Sequence, residues 1–313
     1  MTDLLHPPAA ELWRRTLLPN DRILVLGATG WFGRTAIALL HGLPQPRMLI
    51  ASRTREYGFG GITARSESWD WDAVRAFEPT VILDFAFLTR DLVDAMPLDE
   101  YVSQNQQLTK RMLAAASLAS VSRVLTISSG AAVFPHDALN DPLESNPYGW
   151  LKRRAEDALS DLSAERGIPA VAARAWSVSG AFVQKPSSYA LSDMILQAAA
   201  GAIEISATRQ VYRRYVAVED LLAVSLASAT DDGFTIIDSG GELIEMGDLA
   251  SAVAQVVNPD ATITRPPLSG DGPNDYYADP DGWDAACSRA GFEPADLSQQ
   301  IELAARGLLP ATR

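Results

Sequence analysis

The feature that most constrains the fold is a regular alternation of short apolar runs with segments of helical period, which begins near Asp21. Helix-period segments lie at about residues 31–40, 99–118 and 148–165. Buried strands joined by crossover helices build a parallel sheet with right-handed connections. We therefore predict an α/β fold with a doubly wound parallel sheet of about six strands. The apolar runs that lead to this prediction read RILVLG, RMLIAS, TVILDFAF, VSRVLTISS and PAVAARAW.

Beyond Gly180 the alternation loosens, and we expect this part to form a small substrate-binding lobe beside the sheet. The extreme N-terminal part contains AAELWRRTLL, for which we predict a short helix that covers a surface of the protein. The predicted division is an extension at 1–20, a Rossmann dinucleotide-binding domain at 21–178 with a return segment near 211–238, and a substrate-binding lobe made of 179–210 and 239–313.

Composition excludes several classes of function. The formal net charge of -13 at pH 7 repels nucleic acid and anionic membranes. A single cysteine, Cys287, and three scattered histidines give neither a disulfide framework nor a cluster of metal ligands. The sequence has no apolar run of the roughly 18 residues that a bilayer requires, and no secretion signal is evident. We expect a cytoplasmic protein without a bound metal, whose partner is a small molecule.

A glycine-rich segment, GATGWFG, follows the first apolar run and opens a helical segment. Its first glycine permits a tight turn, its second lets the backbone approach a pyrophosphate, and its third lets the helix pack on the strand. The amides at the helix N-terminus would then face the phosphates. A glycine-rich turn without a ligand is the alternative. The residues that we predict to bind the cofactor here, with two from the end of a later strand, are Gly27, Thr29, Gly30, Trp31, Phe32, Gly33, Phe85 and Ala86.

The end of the second strand bears on cofactor choice. An NAD-preferring site usually places an acidic residue there to hold the ribose 2'-hydroxyl, whereas this chain has Ser52 and Arg53. A guanidinium can pair with a 2'-phosphate. We therefore predict NADP (NADPH) as the cofactor, with NAD as the less favoured option.

The segment YGWLK places Tyr148 and Lys152 one helical turn apart, so that both side chains share a face. A phenol is a poor acid or base at neutral pH, but a neighbouring ammonium and a nicotinamide cation both lower its pKa. The preceding strand ends in Ser128 and Ser129, at the edge where ligands bind in parallel sheets. We favour Ser129 as the hydroxyl that holds a substrate carbonyl. A fortuitous surface pair is the alternative for Tyr148 and Lys152.

Together these motifs resemble the extended short-chain dehydrogenase/reductase family, in particular its nucleotide-sugar epimerase/dehydratase branch. The similarity runs from Ile23 onward and includes PTVILDFAF, with Asp84 where a histidine is common, and Asn105 at a recurrent asparagine. The stretch RRYVAVEDLLAV is similar to a segment in which an arginine contacts the nucleotide diphosphate, which implies Arg213 or Arg214, and we assign Arg214. The C-terminal YYADPDGWDAACSRAGFEPADLSQQIELA also fits this branch. The resemblance implies a homodimer built on the helices near 99–118 and 148–165.

The sequence also departs from the family. The common serine or threonine position falls on Gly130, one residue after Ser129. Dehydratases follow that position with an aspartate and a glutamate, whereas this chain has Gly130, Ala131 and Ala132, which disfavours a 4,6-dehydratase.

Our leading hypothesis is an NADPH-dependent reductase of a keto-sugar nucleotide. In it, Tyr148 is the general acid, Lys152 binds the cofactor ribose, and Ser129, Tyr148 and Arg214 bind the substrate. The alternatives are a nucleotide-sugar epimerase that retains NAD(P), a reductase of a small carbonyl compound without a nucleotide, and a non-catalytic NADP sensor.

Overall fold

The computed structural model describes residues 2–41, 43, 47–51, 57–59, 62–64, 70–230 and 233–309. Its strands are β1 (Arg22–Leu26), β2 (Arg47–Ala51), β3 (Tyr57–Phe59), β4 (Ile62–Ala64), β5 (Val81–Asp84), β6 (Arg123–Ser129), β7 (Ala170–Ala175), β8 (Ser177–Ser179), β9 (Ala202–Glu204), β10 (Val211–Ala217), β11 (Phe234–Asp238), β12 (Glu242–Glu245), β13 (Thr262–Thr264) and β14 (Asn274–Asp275). Its helices are α1 (Pro7–Thr16), α2 (Trp31–His41), α3 (Trp71–Phe77), α4 (Leu98–Ala116), α5 (Pro147–Arg166), α6 (Ala190–Ala199), α7 (Val218–Ala227), α8 (Met246–Val257), α9 (Asp281–Ala290) and α10 (Leu297–Leu308).

The main sheet has six strands in the order β11-β7-β6-β5-β1-β2, and every neighbouring pair is parallel. This confirms the predicted doubly wound α/β fold. From β1 the chain moves outward to β2 and then returns to β5 on the other side of β1. The carboxyl ends of β1 and β5 therefore flank the point where strand order reverses, which is where open α/β sheets bind ligands.

Both faces of this sheet are buried, as the unbroken apolar runs predict for parallel strands. In β1 the alternation divides the side chains between two cores. Ile23 and Val25 pack with residues of α1, α2 and α7 on one face. Leu24 and Leu26 pack on the opposite face with residues of α3, α4 and α5. Helices therefore cover both faces, and the edge formed by the carboxyl ends of the strands remains available for a site.

The C-terminal lobe is organised around β10, which pairs antiparallel with β12 and parallel with β8 and β14. A separate apolar core joins α6, α8 and α10 beside it. The segment predicted to return to the main domain divides between two sheets, because β10 belongs to this lobe and β11 is the sixth strand of the main sheet. The strand β10 therefore carries side chains from the lobe toward the sheet edge.

The N-terminal helix α1 packs on α7, with Trp13 fully buried. The contact includes a buried hydrogen bond between His6 Nδ1 and Asp220 Oδ1 at 2.8 Å, and the His6 amide donates to Glu219 Oε1 at 3.3 Å. Burial, reinforced by the neighbouring Asp220 carboxyl, raises the pKa of Glu219 to about 8. The N-terminal segment therefore covers a buried carboxyl that is neutral at physiological pH.

Replacing Glu219 with glutamine should stabilise the protein at alkaline pH. In the unfolded chain the pKa of a glutamate is about 4.3, whereas burial raises the pKa of Glu219 in the folded protein to about 8. The stability that this group contributes is therefore fully present below the unfolded pKa and is lost as pH rises through the folded pKa. Glutamine retains the acceptor for His6 and does not titrate. Thermal unfolding should show a difference between Glu219→Gln and wild type that grows from about pH 5 to about pH 9.

The matched control is Glu242→Gln, at an exposed glutamate of β12. Its difference from wild type should stay nearly constant across the same range. A pH-independent effect of Glu219→Gln would contradict the assignment of Glu219 as a group that is buried and neutral.

Candidate active site

The start of α5 lies against the short turn that follows β6. Asn146 caps the helix by accepting from the Gly149 amide at 3.0 Å, and its side-chain amide donates to the Ala131 carbonyl at 3.1 Å. A Cβ on Gly149 would lie 2.1 Å from that carbonyl oxygen, so glycine is required for the approach. This contact places Tyr148, in the first turn of α5, beside Ser129 at the end of β6.

Three hydroxyl groups converge at this point. The Ser129 hydroxyl accepts from the Ala131 amide at 3.3 Å and lies close enough to the Tyr148 and Tyr276 phenols to influence the pKa of both. Burial raises the pKa of Tyr148 well above its ordinary value, and the hydrogen bond with Ser129 acts in the opposite direction. Burial also raises the pKa of Tyr276. The two phenols are therefore neutral at physiological pH, and both lie near the same serine.

Lys152 lies one turn further along α5 and is 6% exposed. Its Nζ donates to the Ile127 carbonyl at 2.6 Å and lies 3.7 Å from the centroid of the Phe87 ring. Phe87 also meets Tyr148 edge-on at 5.8 Å between centroids. Burial lowers the pKa of Lys152 to about 8, against the opposing effect of two nearby carboxyls. The Tyr148 and Lys152 side chains therefore share a helix face and a common aromatic neighbour.

A buried ion pair lies beneath this face. Glu156, a further turn along α5, accepts two bonds from Arg174 of β7, at 2.8 and 2.7 Å. It also accepts from the Ser128 hydroxyl at 2.5 Å, whereas Ser129 points to the tyrosines. Arg174 lies 3.7 Å from Asp238 of β11. Of the two adjacent serines, only Ser129 therefore reaches the tyrosine cluster.

The glycine loop packs closely against the end of β5. Gly27 has a φ of +74°, and a Cβ on it would lie 2.5 Å from the Phe85 carbonyl carbon and 2.6 Å from the Ala86 amide. A Cβ on Gly33 would lie 2.3 Å from the Gly27 carbonyl oxygen. The loop and the end of β5 therefore meet at the point of strand reversal, and α2 begins directly after the loop. Close backbone packing requires glycine at 27 and 33, whereas a Cβ on Gly30 would meet only the Gly27 carbonyl oxygen, at 3.5 Å.

The remaining predicted cofactor residues lie around the same loop. Trp31 begins α2, is 7% exposed and meets Tyr189 edge-on at 4.9 Å. The Thr29 carbonyl accepts from Arg34 Nε at 3.1 Å. Gly30 and Phe32 flank Trp31 in the loop and the first turn of α2. Ser52 and Arg53 lie outside the described residues, so NADP preference stays a prediction.

The two candidate arginines of β10 face opposite sides, as adjacent residues of a strand do. Arg213 donates to the Asn274 carbonyl at 2.9 Å, and its guanidinium lies 5.6 Å from the Tyr276 ring. Arg214 donates to the Gly241 carbonyl at 2.8 Å and lies 5.6 Å from the Tyr277 ring. Arg213 therefore shares Tyr276 with the Ser129 cluster, whereas the role predicted for Arg214 stays a prediction.

Sequence reasoning missed several residues of this site. Tyr276 packs with Trp176 at 4.9 Å and Phe134 at 5.2 Å between ring centroids. No local signal distinguishes Tyr276 from its neighbour Tyr277. Asn146 could have been found, because it stands before a proline at the start of a helix, where caps are expected. Asn105, which the resemblance singled out, accepts from the Leu88 amide at 2.8 Å and so holds the loop after β5.

Two negative findings apply to the described part of the chain. No helix there is both long enough and apolar enough to cross a bilayer. No group of three or more histidine, cysteine, aspartate or glutamate side chains there is arranged to hold a metal ion.

The sequence profile of the NAD dependent epimerase/dehydratase family matches residues 23–235, which is more than half of the chain. No curated protein matches the chain by sequence.

Solved structures share the fold at low identity. UDP-glucose 4-epimerase from Brucella ovis, in complex with NAD, is 19% identical with a TM-score of 0.70, over 92% of this chain and 98% of that one. UDP-N-acetylglucosamine 4-epimerase from Methanobrevibacter ruminantium M1, in complex with UDP-N-acetylmuramic acid, is 17% identical with a TM-score of 0.71, over 91% and 98%. An epimerase from Methanothermobacter thermautotrophicus is 18% identical with a TM-score of 0.68, over 96% of both chains.

Proposed function

Because the chain belongs to the NAD dependent epimerase/dehydratase family and is an NAD(P)-dependent oxidoreductase of the extended short-chain dehydrogenase/reductase type, we propose that it reduces a keto-sugar attached to a nucleoside diphosphate. The observation that supports the proposal is that Tyr148 lies by Ser129 and shares the Phe87 ring with Lys152, near the glycine loop. In the proposed reaction these residues would supply an acid, an oxygen-binding hydroxyl and a cation.

The chain's own groups divide the work of carbonyl reduction. When bound, the nicotinamide supplies the hydride. The Tyr148 hydroxyl protonates the oxygen of the carbonyl that is being reduced, and the Ser129 hydroxyl holds the same oxygen. The Lys152 ammonium binds the cofactor ribose and favours the phenolate that Tyr148 leaves behind. Since burial, followed by the neighbouring tyrosines, raises the pKa of Tyr148, the proposed reaction needs this cation at neutral pH.

Cofactor binding would rest on the glycine loop and the end of β5. Gly27, Gly30 and Gly33 allow a pyrophosphate to approach the first amides of α2. We propose NADPH on the strength of Ser52 and Arg53, where a guanidinium would pair with a 2'-phosphate.

For the substrate diphosphate we propose Arg213. It lies on the same side as Tyr276, and the charges of Arg90 and Arg213 both act on the Tyr276 phenol. An anionic diphosphate entering from the C-terminal lobe would meet this positive charge before its sugar reached Ser129. A local cluster of this kind is needed because the net charge of -13 repels anions.

Epimerisation of a nucleotide sugar is the second candidate. The solved structures that share this fold over more than nine tenths of the chain include UDP-sugar 4-epimerases. A dehydratase is disfavoured, because the turn after Ser129, Gly130–Ala132, carries no acidic side chain for a second proton transfer. Tightly retained NAD would favour the epimerase, whereas exchangeable NADPH favours the reductase.

Other features of the proposal come from the family resemblance. A homodimer would form through α4 and α5, which pack side by side, and a monomeric mass in light scattering would contradict it. A cytoplasmic location stays a prediction. A small carbonyl substrate without a nucleotide is the alternative that the Arg213 experiment below separates.

Replacing Tyr148 with phenylalanine should abolish turnover while leaving the fold and NADPH binding intact. The loss should be at least about a hundredfold, the usual contribution of a positioned acid. Turnover is measured as NADPH oxidation with nucleoside-diphosphate keto-sugars, and binding by calorimetry. Tyr277→Phe, one residue beyond Tyr276, is the control and should keep turnover. Full activity of Tyr148→Phe would overturn the assignment of Tyr148 as the acid.

Replacing Arg213 with glutamine should weaken the binding of UDP by roughly tenfold or more, since a charge-assisted hydrogen bond contributes about 1.5–3 kcal/mol. Arg214→Gln, its neighbour on the opposite face of β10, should change that affinity by no more than about twofold. Calorimetric titration with UDP measures both. A larger loss of UDP affinity in Arg214→Gln than in Arg213→Gln would assign the diphosphate to Arg214. If neither change affected UDP binding, a substrate without a nucleotide would be favoured.

A further inference from the structure

A buried carboxyl group ends β5, next to the catalytic helix. Asp84 is 8% exposed. Its Oδ2 accepts from the Thr126 hydroxyl at 2.9 Å, and its Oδ1 accepts from the Ala86 amide at 3.2 Å. Thr126 lies directly opposite Asp84 in the β5–β6 register. The carboxyl is therefore fixed in place by the sheet and has no role in the reaction described above.

Asp84 and Lys152 line the same narrow cleft between the sheet, α4 and α5. Its free volume is about 10 Å³, roughly the size of one water site. Its polar lining comes from Asp84, Thr109, Thr126, Ser128, Lys152 and Glu156. The two groups form no direct ion pair, and they share the lining of this cleft.

The charged groups around Lys152 are not equivalent. On its own helix, Glu156 also acts on Lys152, after Asp84 in effect, but it is already paired with Arg174 of β7 through two bonds. From α4, the cleft receives the uncharged Thr109, and β6 contributes hydroxyls and the Ile127 carbonyl. From β5 comes Asp84. Among the described residues, Lys152 is the cation whose charge acts on Asp84. Asp84 is therefore the carboxyl near Lys152 that is not already paired with an arginine.

We propose that Asp84 is a positioning residue that keeps Lys152 protonated and thereby extends to higher pH the range in which Tyr148 works. The first half concerns the charge of Lys152 alone, and only the second half rests on the proposed function. The step is electrostatic: no bond forms or breaks, and the proton stays on Lys152 Nζ.

The energetics agree with this geometry. Burial lowers the pKa of Lys152 to about 8, and the Asp84 charge opposes that decrease. Burial raises the pKa of Asp84 to about 6, and the Lys152 charge opposes that increase. Between these values both groups are charged. Without the Asp84 carboxylate, Lys152 would keep its burial and lose its main opposing charge, so it would become neutral at lower pH.

The experiment is NMR titration of protein labelled with ¹³C at lysine Cε. The chain has three lysines, Lys110, Lys152 and Lys185, so the spectrum is simple, and Lys152→Arg assigns the signal. In Asp84→Asn the titration midpoint of Lys152 should fall by about one to two pH units, the usual effect of losing a close opposite charge. An unchanged midpoint in the folded variant overturns the proposal.

The matched control is Asp91→Asn. Asp91 forms an exposed ion pair with Lys185, so this change should affect the Lys185 signal and leave the Lys152 midpoint in place. An equal fall of the Lys152 midpoint in both variants would overturn the specific role of Asp84.

A measurement on the unaltered protein keeps the proposal testable if Asp84→Asn does not fold. The Lys152 signal should then show a second inflection near pH 6, where Asp84 titrates. Its absence overturns the proposal.

Kinetics test the second half of the proposal separately. In the pH profile of kcat, the alkaline limb should move to lower pH in Asp84→Asn by the same shift that NMR records. If activity fell equally at every pH and the alkaline limb did not move, Asp84 would have only a structural role, and the second half of the proposal would be overturned. The NMR result stands even if the substrate class is wrong, so failure of the proposed function and failure of this inference are distinguishable.

Discussion

The site depends on one buried ion pair, the two-bond contact between Glu156 and Arg174. It joins the catalytic helix α5 to β7, and through Ser128 and Asp238 it extends to β6 and β11. Burying either charge alone would be strongly unfavourable, and breaking such a pair typically costs about 3–5 kcal/mol. The pair therefore fixes the rotation of α5 about its axis. That rotation decides which way the two preceding turns, with Lys152 and Tyr148, face.

At the end of β6 the alternation of side chains separates two neighbouring serines. Ser128 donates to Glu156, whereas Ser129 lies on the other face, by the tyrosine phenols. The helix follows the same logic, because residues four apart place acid, cation and anchor on one face. The lobe then adds Tyr276 and Arg213 from above through β10 and the segment after β14. Under the proposed function, the sheet edge would supply the chemistry and the lobe would supply the substrate contacts.

Local patterns made part of this predictable. The strand and helix rhythm, the glycine loop and the Tyr148–Lys152 spacing depend on a few neighbouring residues, and the same spacing continued to Glu156 could have revealed the anchor. The choice between Arg213 and Arg214 depends on the pairing of β10 with the distant β14, which no local pattern encodes. The sequence identified Asp84 only as a residue that differs from the family pattern. The role proposed for it depends on the cleft that it shares with Lys152, which is formed by distant segments.

Calorimetric titration of the purified protein with NADPH and with NADH tests the proposed function most directly. We expect saturable, reversible binding with NADPH the tighter ligand. We also expect Gly33→Ala, whose Cβ would lie 2.3 Å from the Gly27 carbonyl oxygen, to lose that binding. Gly270→Ala, where the Cβ would meet open space, should keep it. Binding of neither dinucleotide to the wild-type protein would contradict the central claim, and tighter NADH would contradict the NADP assignment.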